Sequence, residues 1–253
     1  MMELNTIIKA GRLGSNTVTE EDLKAINSFA LKELTADDVF TFKIKAADNS
    51  TDDRNLEPFT LNALRQLKKL YVGRTVGKDH KVSADVQCAR IYATDLTESE
   101  KINGVNGEKV YDLVCKCYMA RTAENAGLIS EIEAGIKREV STSCRVSKAL
   151  CSICGTDLTK KYCRHLPGET YNGKICYRVL DEVKDAYELS FVAVPAQPQA
   201  GTFKGLAAKN EELPVEDKKT SEKEAVCAQH KLAYAIAQAE IFMMTESEEK
   251  DHE

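Results

Sequence analysis

The chain has 253 residues, of which 43% are hydrophobic, and a formal net charge of -5 at pH 7. This length suits one or two domains, and the apolar content permits a sizeable core. The acidic balance argues against a nucleic-acid-binding protein, because affinity for phosphates requires a positive surface. No apolar run approaches the roughly 20 residues that cross a bilayer, and the start at Met1 lacks the features of an export signal. The nine cysteines therefore indicate a reducing compartment.

Residues 1–38 predict an N-terminal helical segment. Its helix begins at Thr19, a capping residue that is followed directly by acidic residues. The apolar residues of this helix recur at helical spacing: Leu23, Ile26, Ala30 and Leu34. A strand follows, in which Phe40 and Phe42 alternate with polar neighbours, and Thr60 can cap a second helix.

Strand-like alternation returns at residues 86–93 and 110–119, and the turn-rich segment between them predicts a hairpin with a long loop. A third helix is expected over residues 122–135. Its predicted apolar row consists of Ala126, Ile129, Ile132 and Ile136. Because the strands alternate rather than run wholly apolar, the pattern predicts an α+β fold with a mainly antiparallel, barrel-like sheet flanked by helices.

A further strand is predicted around Ser141. One face carries Val140, Thr142, Cys144 and Val146, and the other face carries Ser141, Ser143 and Arg145. Since successive side chains of a strand point to opposite faces, the first set is expected to face the core. Two hydroxyl groups and a guanidinium then lie on the opposite face, where a substrate carbonyl could approach.

The chain contains the three residue types that an activated serine nucleophile requires, at His80, Ser141 and Glu188. A serine hydroxyl such as that of Ser141 is a poor nucleophile until an imidazole, here that of His80, accepts its proton. A carboxylate such as Glu188 can orient that imidazole and stabilise the imidazolium that forms. Asp185 is an alternative orienting group, and Ser143 is a rival nucleophile.

The sequence resembles the tailed-phage prohead (capsid maturation) protease family. The resemblance rests on the serine strand, on Asp79-His80 upstream and on residues 188–196 downstream, in matching order and spacing. It spans roughly residues 39–201. The family has a herpesvirus-assemblin-like fold, and its motifs match Ser141 as nucleophile, His80 as base and Glu188 as the acidic residue.

One position departs from the family pattern. The family usually has a glycine two residues after the nucleophile, where this chain has Ser143. The departure keeps Ser143 open as the nucleophile and weakens the expectation of a glycine-shaped oxyanion loop. Arg138 and Arg145 are candidates for stabilising a developing oxyanion, because positioned donors contribute strongly to such stabilisation.

A second motif predicts a metal site. The five candidate ligands are Cys151, Cys154, Cys163, His165 and Cys176. A Cys-x-x-Cys pair followed by further soft ligands is typical of a structural, four-coordinate zinc site. The first choice is the set Cys151, Cys154, Cys163 and His165, with Cys176 as a substitute for either of the last two. A disulfide or redox pair is the alternative, and it is disfavoured in a reducing compartment.

The predicted zinc knuckle is an insertion, at residues 150–177, within a domain that spans residues 39–201. The insertion holds few large apolar side chains, so metal binding is expected to supply its ordering free energy. After the domain, residues 202–253 predict a charged linker and then a helix from about residue 221 to 245, with an acidic end.

The resemblance implies a serine endopeptidase that acts inside an assembling prohead in the host bacterial cytoplasm. Its expected substrates are the scaffold, the major capsid protein and the protease itself, and self-association is also expected. No membrane and no nucleic acid are expected as partners. The alternative is a noncatalytic, zinc-stabilised capsid assembly or scaffold protein with the same fold. Zinc-dependent nucleic-acid binding is a third class, which the acidic charge disfavours.

Overall fold

The computed structural model describes residues 18–81, 83–101 and 103–203. The elements in chain order are α1 (Glu20–Asn27), β1 (Val39–Asp48), α2 (Leu61–Leu70), β2 (Thr75–Lys78), β3 (Ala89–Glu98), β4 (Tyr111–Ala120), α3 (Ala123–Glu133), β5 (Val140–Cys151), β6 (Thr170–Tyr171), β7 (Lys174–Ile175), β8 (Arg178–Phe191) and β9 (Gly201–Thr202). Short 3-10 turns at Ala36–Asp38 and Ala84–Val86 precede β1 and β3.

The larger sheet has seven strands in the order β5-β8-β2-β3-β4-β1-β9, and β6 and β7 form a separate hairpin. All neighbours in the larger sheet are antiparallel except β2 and β8, which pair in parallel. The sheet curls so that its two edges approach each other: the N–H of Thr202 in β9 donates to the carbonyl of Arg138, just before β5 (2.8 Å). The predicted α+β class is confirmed. In place of the predicted barrel-like sheet, the structure has a curled half-barrel, which is mixed because β2 and β8 pair in parallel.

Helix α2 packs into the concave face of the curled sheet. Its residues Leu64 and Leu67 and the following Tyr71 are 0% exposed, among strand residues such as Ile44 and Leu189. Thr60 caps the helix as predicted, since its hydroxyl accepts the N–H of Ala63 (3.0 Å). The same hydroxyl donates to Asp181 of β8 (2.9 Å), which ties the start of α2 to that strand.

The first helix is shorter than its apolar spacing predicts. The Thr19 cap is confirmed, but α1 ends at Asn27. The side-chain amide of Asn27 bonds both backbone groups of Leu34, at 2.8 and 3.0 Å, and so holds the chain in a loop after the helix. Ala30 and Leu34 therefore lie outside α1, because a local side-chain bond competes with the helical ladder.

The third helix and the third strand also differ from prediction at their ends. Helix α3 ends at Glu133, and Gly135 follows with φ of +74°, a conformation that terminates helices. Ile129 and Ile132 are buried, whereas Ala126 and Ile136 of the predicted row are exposed. The predicted hairpin is confirmed as β3 and β4, although β3 begins only at Ala89.

The predicted insertion lies at the tip of a long hairpin. Strands β5 and β8 pair antiparallel from Val140 opposite Phe191 to Cys151 opposite Arg178. Residues 152–177 connect these last two partners. The predicted linker and C-terminal helix, from residue 204 onward, lie outside the described residues. Within the described ranges, no helix combines the length and the apolar character that crossing a bilayer requires.

Replacing Leu67 by alanine is expected to lower the free energy of unfolding by about 2–5 kcal/mol, because it opens a cavity under the curled sheet. Leu31→Ala is the matched control, since Leu31 is fully exposed, and its expected effect is within about 0.5 kcal/mol. Urea unfolding followed by circular dichroism measures both. Equal losses in the two variants would contradict the packing of α2 described above.

Candidate functional site

The structure brings His80 and Glu188 into contact. The Nδ1 atom of His80 lies 2.7 Å from Oε1 of Glu188. The side chains of His80 and Glu188 are 40% and 18% exposed, so the carboxylate is largely covered while the imidazole reaches solvent. Because a carboxylate oxygen accepts, the proton of the neutral imidazole lies on Nδ1 in this pair, which leaves Nε2 as the acceptor.

The parallel pairing of β2 and β8 produces this contact. Thr75 pairs with Glu188 and Gly77 with Ser190, so the end of β2 runs alongside the end of β8. Asp79 and His80 then both adopt left-handed conformations, with φ of +55° and +52°. Such values are uncommon for residues other than glycine, although aspartate and histidine adopt them more readily than most. The N–H of Lys81 closes the turn on the carbonyl of Lys78 (3.2 Å). This turn directs the imidazole back over the strand pair.

Ser190 is part of the same arrangement, and the sequence analysis did not identify it. Its hydroxyl donates to Oε2 of Glu188 (2.5 Å) and accepts the backbone N–H of His80 (3.1 Å). The side chain is only 1% exposed. The available sequence signal was its position two residues after Glu188, which places both side chains on one face of a strand.

Both candidate serines lie on the strand next to Glu188. In the antiparallel ladder, Ser141 is directly opposite Ser190 and Ser143 is directly opposite Glu188. Residues so paired share a face, with their Cβ atoms about 4.5–5.5 Å apart. Among the described residues, neither serine hydroxyl makes a hydrogen bond to His80. The structure therefore joins two of the three predicted residues and sets Ser141 and Ser143 beside them.

The alternative orienting group and the candidate oxyanion donors have other surroundings. The carboxylate of Asp185 accepts from the guanidinium of Arg74 (2.8 Å) and makes no described contact with His80. Asp185 as the orienting group is therefore not supported. Arg145 is exposed and pairs in the ladder with Asp185, and Arg138 lies at the seam between β5 and β9. Neither arginine contacts the His80 and Glu188 pair among the described residues.

The predicted metal ligands converge at the opposite end of β5. One ligand atom from each of Cys151, Cys154, Cys163 and His165 lies within 4.8 Å of the others. Cys151 Sγ is 3.7 Å from His165 Nδ1 and 3.9 Å from Cys176 Sγ. The first-choice set is thus assembled, and Cys176 adjoins it as a fifth donor.

Local backbone structure builds this cluster. After Cys151 ends β5, the chain turns so that the N–H of Gly155 donates to the Cys151 carbonyl (2.8 Å), with Gly155 at φ of +70°. Cys154 is carried on that turn. On the other side, the ring of Tyr171 in β6 meets the His165 ring edge-on at 4.6 Å, which helps to orient the imidazole.

The donor set fits a transition metal. Three thiolates and one imidazole are the ligands of closed tetrahedral sites, in which metal–sulfur bonds of about 2.3 Å and metal–nitrogen bonds of about 2.0–2.1 Å set a sulfur and a nitrogen roughly 3.6 Å apart. The separation between Cys151 Sγ and His165 Nδ1, 3.7 Å, is close to that value. These four residues could hold one metal ion with no open coordination position.

Comparisons of this chain with protein-family models, with curated proteins and with solved structures found no match.

In the metal-free cluster, the cysteine thiols differ in pKa. Hydrogen bonding by Thr156 to the Cys154 sulfur lowers the pKa of that thiol to about 6. Burial raises the pKa of Cys163, and it raises the pKa of Cys176 to about 12. Cys154 is also exposed, so it is the accessible thiolate of this group at neutral pH.

In metal-free protein at pH 7, Cys154 is expected to react with iodoacetamide at least about tenfold faster than Cys176, because only the thiolate is nucleophilic. Peptide mass spectrometry after timed labelling measures both rates. Lowering the pH from 7 to 5 should slow the labelling of Cys154, since its sulfur becomes protonated. Faster labelling at Cys176 would contradict the environments described here.

Proposed function

We propose that this protein is a serine endopeptidase with Ser141 as nucleophile, His80 as general base and Glu188 as the orienting carboxylate. The contact between His80 Nδ1 and Glu188 Oε1 (2.7 Å) is the observation that carries the proposal. It has the form required of a base held in one tautomer by a carboxylate, with Nε2 left to accept a proton. The ladder position of Ser141, opposite Ser190, supports it as the neighbouring hydroxyl.

The proposed reaction proceeds in two halves. The Ser141 Oγ attacks the scissile carbonyl carbon while its proton passes to Nε2 of His80, and the carbonyl becomes a tetrahedral oxyanion. The imidazolium, stabilised by Glu188, then gives that proton to the leaving amine, and the peptide bond breaks to leave an acyl-enzyme. Water attacks the ester through the same base, which releases the acid and restores the Ser141 hydroxyl.

Catalysis requires the Ser141 hydroxyl and the Nε2 atom of His80 to come within hydrogen-bonding distance of each other. Catalytic hydrogen bonds are often long in the free enzyme and tighten when substrate binds. The partial exposure of His80 leaves its ring room to turn toward the strand that carries Ser141. Ser143, which lies opposite Glu188, stays a rival for the nucleophile.

The proposed substrates are proteins of an assembling phage shell: scaffold, major capsid protein and the protease itself. The support for this is the resemblance of the serine strand, of Asp79-His80 and of residues 188–196 to the prohead protease family. The host bacterial cytoplasm, inside the prohead, is the proposed location. Self-association of the protease belongs to the same proposal.

The proposed ion of the cysteine and histidine cluster is zinc in a structural role. Three sulfurs and one imidazole suit zinc, and a full set of four protein ligands leaves no place for a substrate or an activated water. The cluster is also remote from Ser141, which is the second residue of β5 whereas Cys151 is the last. The ion would therefore order the tip of the β5 and β8 hairpin and take no part in peptide hydrolysis.

Ser141→Ala is expected to lower cleavage of a co-expressed capsid precursor by more than about 1,000-fold while leaving the fold intact, because the attacking oxygen is lost. Ser143→Ala is the matched control, and it should retain most of the activity. Intact-mass analysis of the precursor measures both. Full processing by Ser141→Ala together with loss in Ser143→Ala would transfer the role of nucleophile to Ser143.

A noncatalytic, metal-stabilised assembly protein is the second candidate, favoured by the lack of a described hydrogen bond between Ser141 and His80. A fluorophosphonate probe separates the two candidates, because it labels only an activated serine. Covalent labelling of Ser141 in the assembled particle would support the peptidase. If neither serine is labelled and neither variant affects processing there, the assembly protein is the better description.

Protein purified without chelator is expected to contain about one zinc ion per chain by elemental analysis, as for a closed Cys3His site. A Cys151→Ser, Cys154→Ser double variant should contain none, whereas Cys88→Ser, outside the cluster, should retain the metal. Cys176→Ser tests the fifth donor: unchanged zinc content would exclude it from the set. Equal metal in the double variant and the wild type would remove the assignment.

A further inference from the structure

The surroundings of His80 form a closed ring of hydrogen bonds. The imidazole Nδ1 contacts Oε1 of Glu188 (2.7 Å), and Oε2 of the same carboxylate accepts the hydroxyl of Ser190 (2.5 Å). That hydroxyl in turn accepts the backbone N–H of His80 (3.1 Å). The ring therefore connects the backbone of His80 to its own side chain through two residues of β8.

We propose that Ser190 is a positioning residue, whose hydroxyl locks the Glu188 carboxylate and the left-handed backbone of His80 into one geometry. The inference rests on the proposed function, since it specifies how the base is held. Ser190 contacts neither the substrate nor the reacting atoms in this scheme. It acts through Glu188 and His80.

The first support is that the Ser190 hydroxyl donates one hydrogen bond and accepts another. A serine hydroxyl has one hydrogen to donate and can accept at the same time, and here the donor bond goes to a carboxylate and the acceptor bond comes from a backbone N–H. The side chain is 1% exposed, so water does not replace either bond readily. Hydrogen bonds to charged groups are also about twice as strong as neutral ones.

The second support is the backbone strain at the turn. Asp79 and His80 are consecutive residues with positive φ, and such conformations persist only where the surrounding structure holds them. The N–H of Asp79 donates to the Phe191 carbonyl (3.0 Å), and the N–H of His80 donates to Ser190. The N–H of Lys81 also closes the turn on the carbonyl of Lys78 (3.2 Å). The Ser190 hydroxyl is thus the side-chain group among the described hydrogen bonds that hold this turn.

The third support is the space left by Gly77. A Cβ added at this residue would lie 3.6 Å from both the Ser190 Oγ and the Glu188 Oε2 atoms. The side chains of the ring therefore lie beside the backbone of β2, the strand that leads into His80. The hydroxyl of Ser190 satisfies the second carboxylate oxygen there.

The test compares Ser190→Ala, which removes the hydroxyl, with Ser190→Cys, which keeps the shape but donates weakly, and with Ser190→Thr, which keeps the hydroxyl. Ser50→Ala is the matched control, because Ser50 is also 1% exposed and its hydroxyl also accepts a backbone N–H, that of Asp52 (3.3 Å). Unfolding midpoints confirm that each variant is folded.

The decisive readout is the imidazole of His80, observed by nitrogen-15 nuclear magnetic resonance. The chain has only four histidines, so a His80→Gln spectrum identifies the signal. In the wild type and in Ser190→Thr, we expect the neutral ring to carry its proton on Nδ1, with slow exchange of that proton with water. In Ser190→Ala and Ser190→Cys, the exchange should be faster by about tenfold or more, because an anchor of the ring is lost.

Peptidase kinetics provide the second readout. Ser190→Ala should lower kcat by about 10- to 100-fold with KM within about twofold, since the loss affects an oriented base and not substrate binding. Ser190→Thr should retain kcat, and Ser50→Ala should match the wild type in both readouts. A defect that is general to buried serines would appear in the control as well.

Two results would overturn the role of Ser190. One is an unchanged rate of exchange of the His80 Nδ1 proton with water in folded Ser190→Ala or Ser190→Cys. The other is a loss of protection in Ser190→Thr equal to that in Ser190→Ala, which would make the hydroxyl irrelevant. If Ser141→Ala and Ser143→Ala both retain full processing, the proposed function fails, and the imidazole spectra still decide whether Ser190 holds His80.

Discussion

The parallel pairing of β2 with β8 is the constraint on which the candidate site depends. It joins two segments that are more than a hundred residues apart in sequence, with Gly77 beside Ser190. Because β2 ends where β8 also nears its end, the chain can turn at Asp79 and return its imidazole over Glu188. If β2 ran antiparallel to β8, the end of β2 would point away from the end of β8, and His80 would have no carboxylate to meet.

The β5 and β8 hairpin carries both clusters at its two ends. At one end, Ser141 and Ser143 lie opposite the residues that hold His80, and at the other end Cys151 closes the strand pair where the cysteine and histidine cluster begins. The register shifts at two places between these ends, near Cys144 and near Arg145. Such bulges twist and bend a strand pair locally, so the two clusters belong to one element but do not share one flat surface.

Local patterns were sufficient for much of the fold. The caps at Thr19 and Thr60 and the β3 and β4 hairpin depend on neighbours in sequence, and they were predicted. The end of α1 was missed because the Asn27 amide satisfies the backbone of Leu34, a bond that apolar spacing does not indicate. The exposure of Ile136 was also missed, because the turn at Gly135 directs this side chain away from the core.

The sequence by itself determined which chemical groups are available: a cysteine and histidine cluster, whose short spacing brings the ligands together locally, and a serine, a histidine and a glutamate in a recognisable order. Only the tertiary structure decided that Glu188 rather than Asp185 meets His80 and that Ser190 joins them. The physical reason is register. Which side chains share a sheet face and an end depends on strand pairings between distant segments, and these are set by the packing of the whole core.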